Sequence, residues 1–204
     1  MTIEVIPIRA VLKKVFELPM VFSETMKYIE KLEKEEIIIR NFIQGDLWKN
    51  KIKPKLCSDK IVFPLFLYFD DYETNDALGA HAGISKVGAV YVNIPVMPIE
   101  MQSKKENVLL FLLFNTLDRK TVGNKIIFQN AIDELRYLEG HGISVYIRDV
   151  DTTYKIYFKF MLLLGDNLGL NQILGFVECF NANFPCRICF TPRSNFSTTY
   201  IEFK

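Results

Sequence analysis

The chain has 204 residues, half of them hydrophobic and 13% aromatic, with a formal net charge of +1. That length holds one good-sized core, or one domain with an extension, and the composition excludes a disordered chain. Near-neutrality excludes a surface built throughout to attract a polyanion, and four cysteines in a chain of this size do not make a disulfide scaffold. The apolar stretches Val108 to Phe114 and Met161 to Leu164 are far shorter than the roughly 20 residues of a bilayer span, so no membrane partner is expected. The N-terminus, Met1-Thr-Ile-Glu-Val-Ile-Pro, has neither the positive start nor the continuous apolar stretch of a secretory signal. An intracellular location is the expectation.

In chain order, Ile8, Val11, Leu12, Val15, Phe16 and Leu18 fall at helical spacing, with Lys13-Lys14 outside and Pro19 as a stop. Ser23-Glu-Thr-Met26 opens a second, amphipathic and highly charged helix through about Glu36. From Ile37 to Ser58 the pattern breaks up around Gly45, Trp48 and Pro54, as in a linker or short strand. Residues 1–58 thus read as a helical accessory region with a basic linker. Residues 1–60 hold 12 Lys/Arg against 9 Asp/Glu. Lys49, Lys51, Lys53 and Lys55, followed by Lys60 and opposed only by Asp59, are either a solvated loop or a phosphate-binding strip for DNA. Trp48 is read as a packing anchor rather than a base-stacking platform.

Residues 59–204 read as the main domain. A strand from Val62 to Asp70 leads through a loop, Tyr72 to Lys86, to a second strand, Val87 to Val96, and a third, Val108 to Asn115, follows the turn Lys104-Lys105-Glu106. Phe128, Ala131, Ile132, Leu135 and Leu138 set a helix between Asn124 and Glu139, which Gly140-His141-Gly142 ends. Strands at Ile143 to Ile147 and Tyr154 to Leu164 come next. A last helix carries Leu168, Leu170, Ile173, Leu174, Val177 and Phe180 and ends near Asn181. Three consecutive strands make an antiparallel meander, and the helix supplies the crossover that a parallel fourth strand requires.

Two carboxylates end strongly apolar strands: Asp70 after Phe63-Pro-Leu-Phe-Leu-Tyr-Phe, and Asp166 after Phe160-Met-Leu-Leu-Leu-Gly. An acid carried to the end of a buried strand must be hydrated, paired or metal-bound. If the strands are neighbours, the pair is half of a two-metal phosphoryl-transfer site, Asp70 bridging both ions and Asp166 binding one. The structural alternative makes Asp70-Asp71 a turn and Asp166 the cap of the helix after it. By alternation Asp71 points away from Asp70. Cys186-Arg-Ile-Cys189 has the spacing of a Zn2+ half-site. Cys57, Cys179, His81 and His141 remain as other ligands, none at a second knuckle spacing. His81 lies in a glycine-containing loop near Asp70, where loop packing is its plainer role, and His141 between two glycines is read as exposed.

The segments Phe69-Asp-Asp-Tyr-Glu, Leu78-Gly-Ala-His-Ala-Gly83, Leu164-Gly-Asp-Asn-Leu-Gly-Leu170, Leu174-Gly-Phe-Val-Glu178 and Phe184-Pro-Cys-Arg-Ile-Cys189 together resemble transposase-derived proteins, most of all the CACTA, Mirage and Chapaev group of DDE transposases. The resemblance covers roughly residues 40 to 190. It implies an α/β fold, an incomplete ribonuclease-H-like mixed sheet of meander, helix and parallel strand behind an N-terminal helical extension. It also implies metal-dependent DNA cleavage and strand transfer, with Asp70 and Asp166 holding Mg2+ or Mn2+ and Cys186 and Cys189 as zinc-knuckle cysteines. Transposon-end DNA is the implied partner, self-association is possible, and the nucleus is the implied compartment. The group's third acid lies on a later helix, after an insertion that supplies histidines to the zinc site; Glu178 comes too soon after Asp166, and Glu202 sits in a patternless tail. These 204 residues are therefore expected to lack strand-transfer activity. The competing expectations are a non-catalytic DNA- or protein-binding module that inhibits full-length transposase, and a stand-alone ribonuclease-H-like nuclease.

Overall fold

The computed structural model describes residues 3–74, 86–102, 104 and 108–198. The strands are β1 (Ile3–Val5), β2 (Ile61–Glu73), β3 (Lys86–Asn93), β4 (Leu109–Asn115), β5 (Ile143–Ile147) and β6 (Thr152–Gly165). The helices are α1 (Ile8–Phe16), α2 (Val21–Lys34), α3 (Ile99–Gln102), α4 (Thr116–Val122), α5 (Asn124–Gly140) and α6 (Asn167–Leu174). The fold is α/β, with one mixed six-stranded sheet in the order β1-β4-β3-β2-β6-β5. Most of the Tyr72 to Lys86 loop, most of the Lys104-Lys105-Glu106 turn and the end of the chain lie outside the described residues.

β2, β3 and β4 form the antiparallel meander, and β6 returns beside β2 in parallel, with Ile61 opposite Ile156 and Phe69 opposite Gly165. A parallel return needs a crossover, which α4 and α5 provide. Two strands follow the crossover, and it is the second, β6, that reaches β2; β5 is its hairpin partner at the sheet edge. β5 pairs with β6 only as far as Ile156, so from Tyr157 onward β6 has β2 as its one strand neighbour among the described residues. Pro64 fits inside the central strand because β3 joins β2 only from Phe66 onward. At Pro64 one side of β2 has no ladder to interrupt.

The N-terminal helices do not stand apart from the sheet. Ile8, Leu12 and Phe16 are fully buried, one turn apart along α1. Phe16 packs with Phe63 of β2 and Phe158 of β6 at ring-centroid distances of 5.4 and 5.8 Å, and those two rings meet each other at 6.0 Å. The Arg9 guanidinium forks onto Glu134 of α5 at 2.8 and 2.7 Å and lies 4.1 Å from the Tyr137 ring centre. That carboxylate, desolvation notwithstanding, raises the Arg9 pKa above its ordinary value. α1 therefore belongs to the same core as the strands.

α2 begins at Val21 rather than at Ser23. The Asp149 carboxylate takes the Met20 N–H at 2.8 Å, so the first turn is served from the β5–β6 connection and Ser23 is not its cap. Residues 42–55 are neither linker nor strand but three short helical turns, one of them a wide π-type turn over Leu47–Ile52. Their anchor is Gln44, 3% exposed, whose amide nitrogen reaches the carbonyls of Leu32, Glu35 and Ile38 while its oxygen accepts the N–H groups of Arg40 and Asn41. Trp48 is buried beside Phe42, which stands edge-on to Phe66 of β2, as a packing anchor should.

Replacing Phe16 with Ala is expected to cost about 3–5 kcal/mol, the usual range for emptying an aromatic site in a core. Urea unfolding followed by the fluorescence of Trp48, the single tryptophan, should show one transition at a lower midpoint. An unmoved midpoint would mean that α1 is a separate unit.

Candidate functional site

Alternation along β2 sends Phe63, Leu65, Leu67 and Phe69 toward the helices and leaves Tyr68, Asp70 and Tyr72 on the opposite face. Tyr68 and Tyr72 are 43% and 44% exposed, and Asp70 between them is exposed as well. Tyr91 of β3, opposite Tyr68, completes the group. Burial first, and then the proximity of Tyr72, Asp70 and Tyr68, holds the Tyr91 phenol above its ordinary pKa. Asp71 turns to the other face, half-buried, with Lys86 Nζ 4.0 Å from its carboxylate.

The last register pair of β2 and β6 is Phe69 with Gly165. Asp70 and Asp166 follow that pair, but Asp70 neither ends its strand nor lies in a turn: β2 continues to Glu73 because β3 pairs with it there, Asp70 opposite Ala89, whereas Asp166 is the first residue after β6. Asp166 also caps α6: its Oδ1 accepts the Gly169 N–H at 2.5 Å. A side chain at Gly169 would begin 2.8 Å from that oxygen and 3.0 Å from the Phe69 ring. Glycine at this position lets the helix lie against β2 with its cap closed. Gly165-Asp-Asn-Leu-Gly169 is thus a close-packed strand-to-helix turn with an acid at its corner.

The other end of α6 is held from α4 and α5. Arg119, only 5% exposed, donates to the Gln172 carbonyl at 3.1 Å, and Asn124 Nδ2 donates to the carbonyls of Gln172 and Ile173 at 2.9 and 2.8 Å. A cation at the carbonyl end of a helix also suits its dipole. α6 stops at Leu174, earlier than Asn181, because Gly175 takes a left-handed conformation at φ 75° and Phe176 N–H returns to the Asn171 carbonyl at 2.8 Å. Val177 and Phe180 consequently lie on irregular chain and are 49% and 51% exposed. Neither Arg119 nor Asn124 stands out in the sequence, since each acts on carbonyls some fifty residues away.

Cys186 and Cys189 are half-buried and not joined by a disulfide. The Cys186 Sγ accepts the backbone N–H groups of Ile188 at 3.3 Å and Cys189 at 3.4 Å. Between the cysteines, Arg187 reaches Asn167 Oδ1 at 2.9 Å, tying this turn to the residue after Asp166. Cys57 and Cys179 are exposed and separate, and His141 stacks on Tyr137 with ring centres 4.6 Å apart. His81 and Glu202 lie outside the described residues; Glu178 is exposed on irregular chain, 3.4 Å from Gln172 Nε2. Among the described residues no three His, Cys, Asp or Glu side chains gather around one point.

Lys49, Lys51, Lys53 and Lys55 are exposed, but they lie on the helical turns of residues 47–55. A two-residue spacing lines up one face of a strand and divides between opposite sides of a helix. Lys53 is paired with Glu33 of α2 at 2.6 Å. The four do not form one strip. No helix among the described residues is long and apolar enough to cross a membrane.

No protein-family model matches the chain, and no curated protein does.

Asp166 has two separable roles, cap and charge. Asp166→Ala is expected to lower stability by about 1 kcal/mol, and Asp166→Asn by only a few tenths, because Asn caps as well as Asp. Thermal melts of the two variants check this.

Proposed function

We propose that the chain carries a ribonuclease-H-like fold of the DDE-transposase kind, whose chemistry is metal-dependent cleavage and transfer of DNA phosphodiesters. The observation that carries the reading is the parallel pairing of β2 with β6 after a meander and a helical crossover, with Asp70 and Asp166 each one residue beyond its last pair, Phe69 with Gly165. Sheets with parallel strands commonly place their ligands beyond the carboxyl ends of those strands, and Asp166 stands at the carboxyl end of β6.

Both side chains fit a hard divalent cation in kind. Asp70 is exposed on its strand face, and Asp166 is exposed with one oxygen already fixed by the Gly169 amide. A hydrogen-bonded carboxylate of that sort is the usual form of a metal ligand. Mg2+ or Mn2+ commonly takes one or two carboxylates and completes its shell with water and substrate phosphate. Such an ion would supply an activated water and charge neutralisation at phosphorus. Asp70 and Asp166 would hold it, α6 would keep Asp166 at the corner, and Tyr68, Tyr72 and Tyr91 would line the approach with aromatic surface on which bases stack. DNA is the partner that this reading entails, and the nucleus the compartment.

Asp70 and Asp166 alone are expected to bind the ion weakly, since two carboxylates leave most of its shell to water. Calorimetric titration of Mn2+ should give measurable heats for the wild-type chain and none for Asp70→Asn or Asp166→Asn, both folded by circular dichroism. Equal, negligible heats for all three would remove the metal site, and with it the reading.

A further inference from the structure

We propose that the apolar cavity between α5 and the sheet binds one long-chain fatty acid, its alkyl chain lying along the helix and its carboxylate at the helix's N-terminal end. This does not rest on the reading of Asp70 and Asp166: the cavity lies on the helix-covered face of β2, and Asp70 points to the other. Its volume is about 630 Å3, and Leu67, Phe128, Ile132, Leu135, Phe160 and Leu163 wall it. Ligand pockets have this size and this chemistry, an apolar lining with a few polar groups at one place. Ile132 and Phe160 are 39% and 40% exposed. β5 pairs with β6 only as far as Ile156, which leaves this side of the cavity open to an entering chain. An alkyl chain seated there removes apolar surface from water on both partners.

The shape selects a chain rather than a ring system. From Asn124 and Lys125 to Glu139 the lining follows one stripe of α5, roughly 22 Å at 1.5 Å per residue, the reach of an extended long acyl group. Charge selects the end at which the acid sits. α5 starts after Gly123 with no side chain capping it and no acid in its first turn, so its amide end keeps its positive potential. Lys125, exposed beside it, pairs with no carboxylate among the described residues. Behind Asn124 stands Arg119, 5% exposed, with Nη1 3.3 Å from Asn124 Oδ1 and with Nε and Nη2 unpartnered. A buried guanidinium without an anion is costly, and a carboxylate at the start of α5 offsets that charge through a medium that screens poorly. At the far end the charges are already matched, Glu139 with Lys159 and Arg136 with Asp133.

The test uses the full chain freed of lipid and cis-parinaric acid, a fatty acid that fluoresces when shielded from water. One molecule should bind per chain, and palmitate should displace it. Hexadecanol, with the same alkyl chain and no charge, should displace it at least tenfold less well, and decanoate, too short to follow α5, should also compete poorly. Lys125→Glu should weaken binding at least tenfold; an acid in a first turn favours a helix, so that loss is not one of folding. Ile132→Glu, at an exposed position of the wall, should weaken it at least tenfold with an unchanged circular dichroism spectrum. No saturable binding, several molecules per chain, hexadecanol as effective as palmitate, or wild-type affinity in Lys125→Glu would each overturn the proposal. So would co-sedimentation with phosphatidylserine vesicles without binding of free palmitate, which would make this face a membrane contact.

Discussion

Everything else in this chain depends on the parallel pairing of β2 with β6. The two strands are 13 and 14 residues long and run together from Ile61–Ile156 to Phe69–Gly165. A parallel pair cannot be closed by a hairpin, so the chain must leave the sheet through α4 and α5 and come back. That excursion gives α5 its place over the strands and lets α1 fill the space beside it, where Phe16 meets Phe63 and Phe158. The same pairing fixes where the two strands part, after Phe69 and Gly165, and the next residue on each chain segment is an aspartate.

α6 converts that coincidence into a defined geometry. Its first turn is closed by Asp166, its last carbonyls by Arg119 and Asn124, and its side is pressed on Phe69 through Gly169. An acid on a loose loop would sample many positions and lose binding energy in becoming ordered. Here the ordering comes from packing and hydrogen bonds laid down in folding. The Cys186 turn borrows from the same helix through Arg187 and Asn167, so acid corner and thiol corner share one support.

Much of this architecture is legible in the residues, and the exceptions have physical reasons. Periodicity over several turns or several alternations carries α5 and β5 almost residue by residue, because a long buried stripe has few alternative registers. The neighbourhood of β2 and β6 follows from chain order and the need for a crossover. β1 is only three residues long, too short to show alternation, and owes its strand character to β4. The lysine series reads as a solvated loop or a phosphate-binding strip until Gln44 and Trp48 are seen to hold residues 42–55 in helical turns. Gly175 is hidden inside an apolar pattern that continues past it, and only its left-handed backbone reveals the stop. At the site, the two acids and the cysteine pair are visible as residue types. Arg119, Asn124 and the two amides on Cys186 are not, since backbone partners leave no mark in side-chain identity.

The unpaired half of β6 has a consequence for how the molecule behaves in company. From Tyr157 onward its outer backbone groups have no neighbouring strand among the described residues, and side chains such as Phe160 and the leucines after it are adhesive. Open, apolar strand edges act as templates on which other chains extend a sheet. Lys159 sits in that stretch and is tethered by its ammonium to Glu139 of α5. A charged side chain anchored there makes the edge a poor docking line for another strand, so growth of the sheet from molecule to molecule is opposed by a single ion pair.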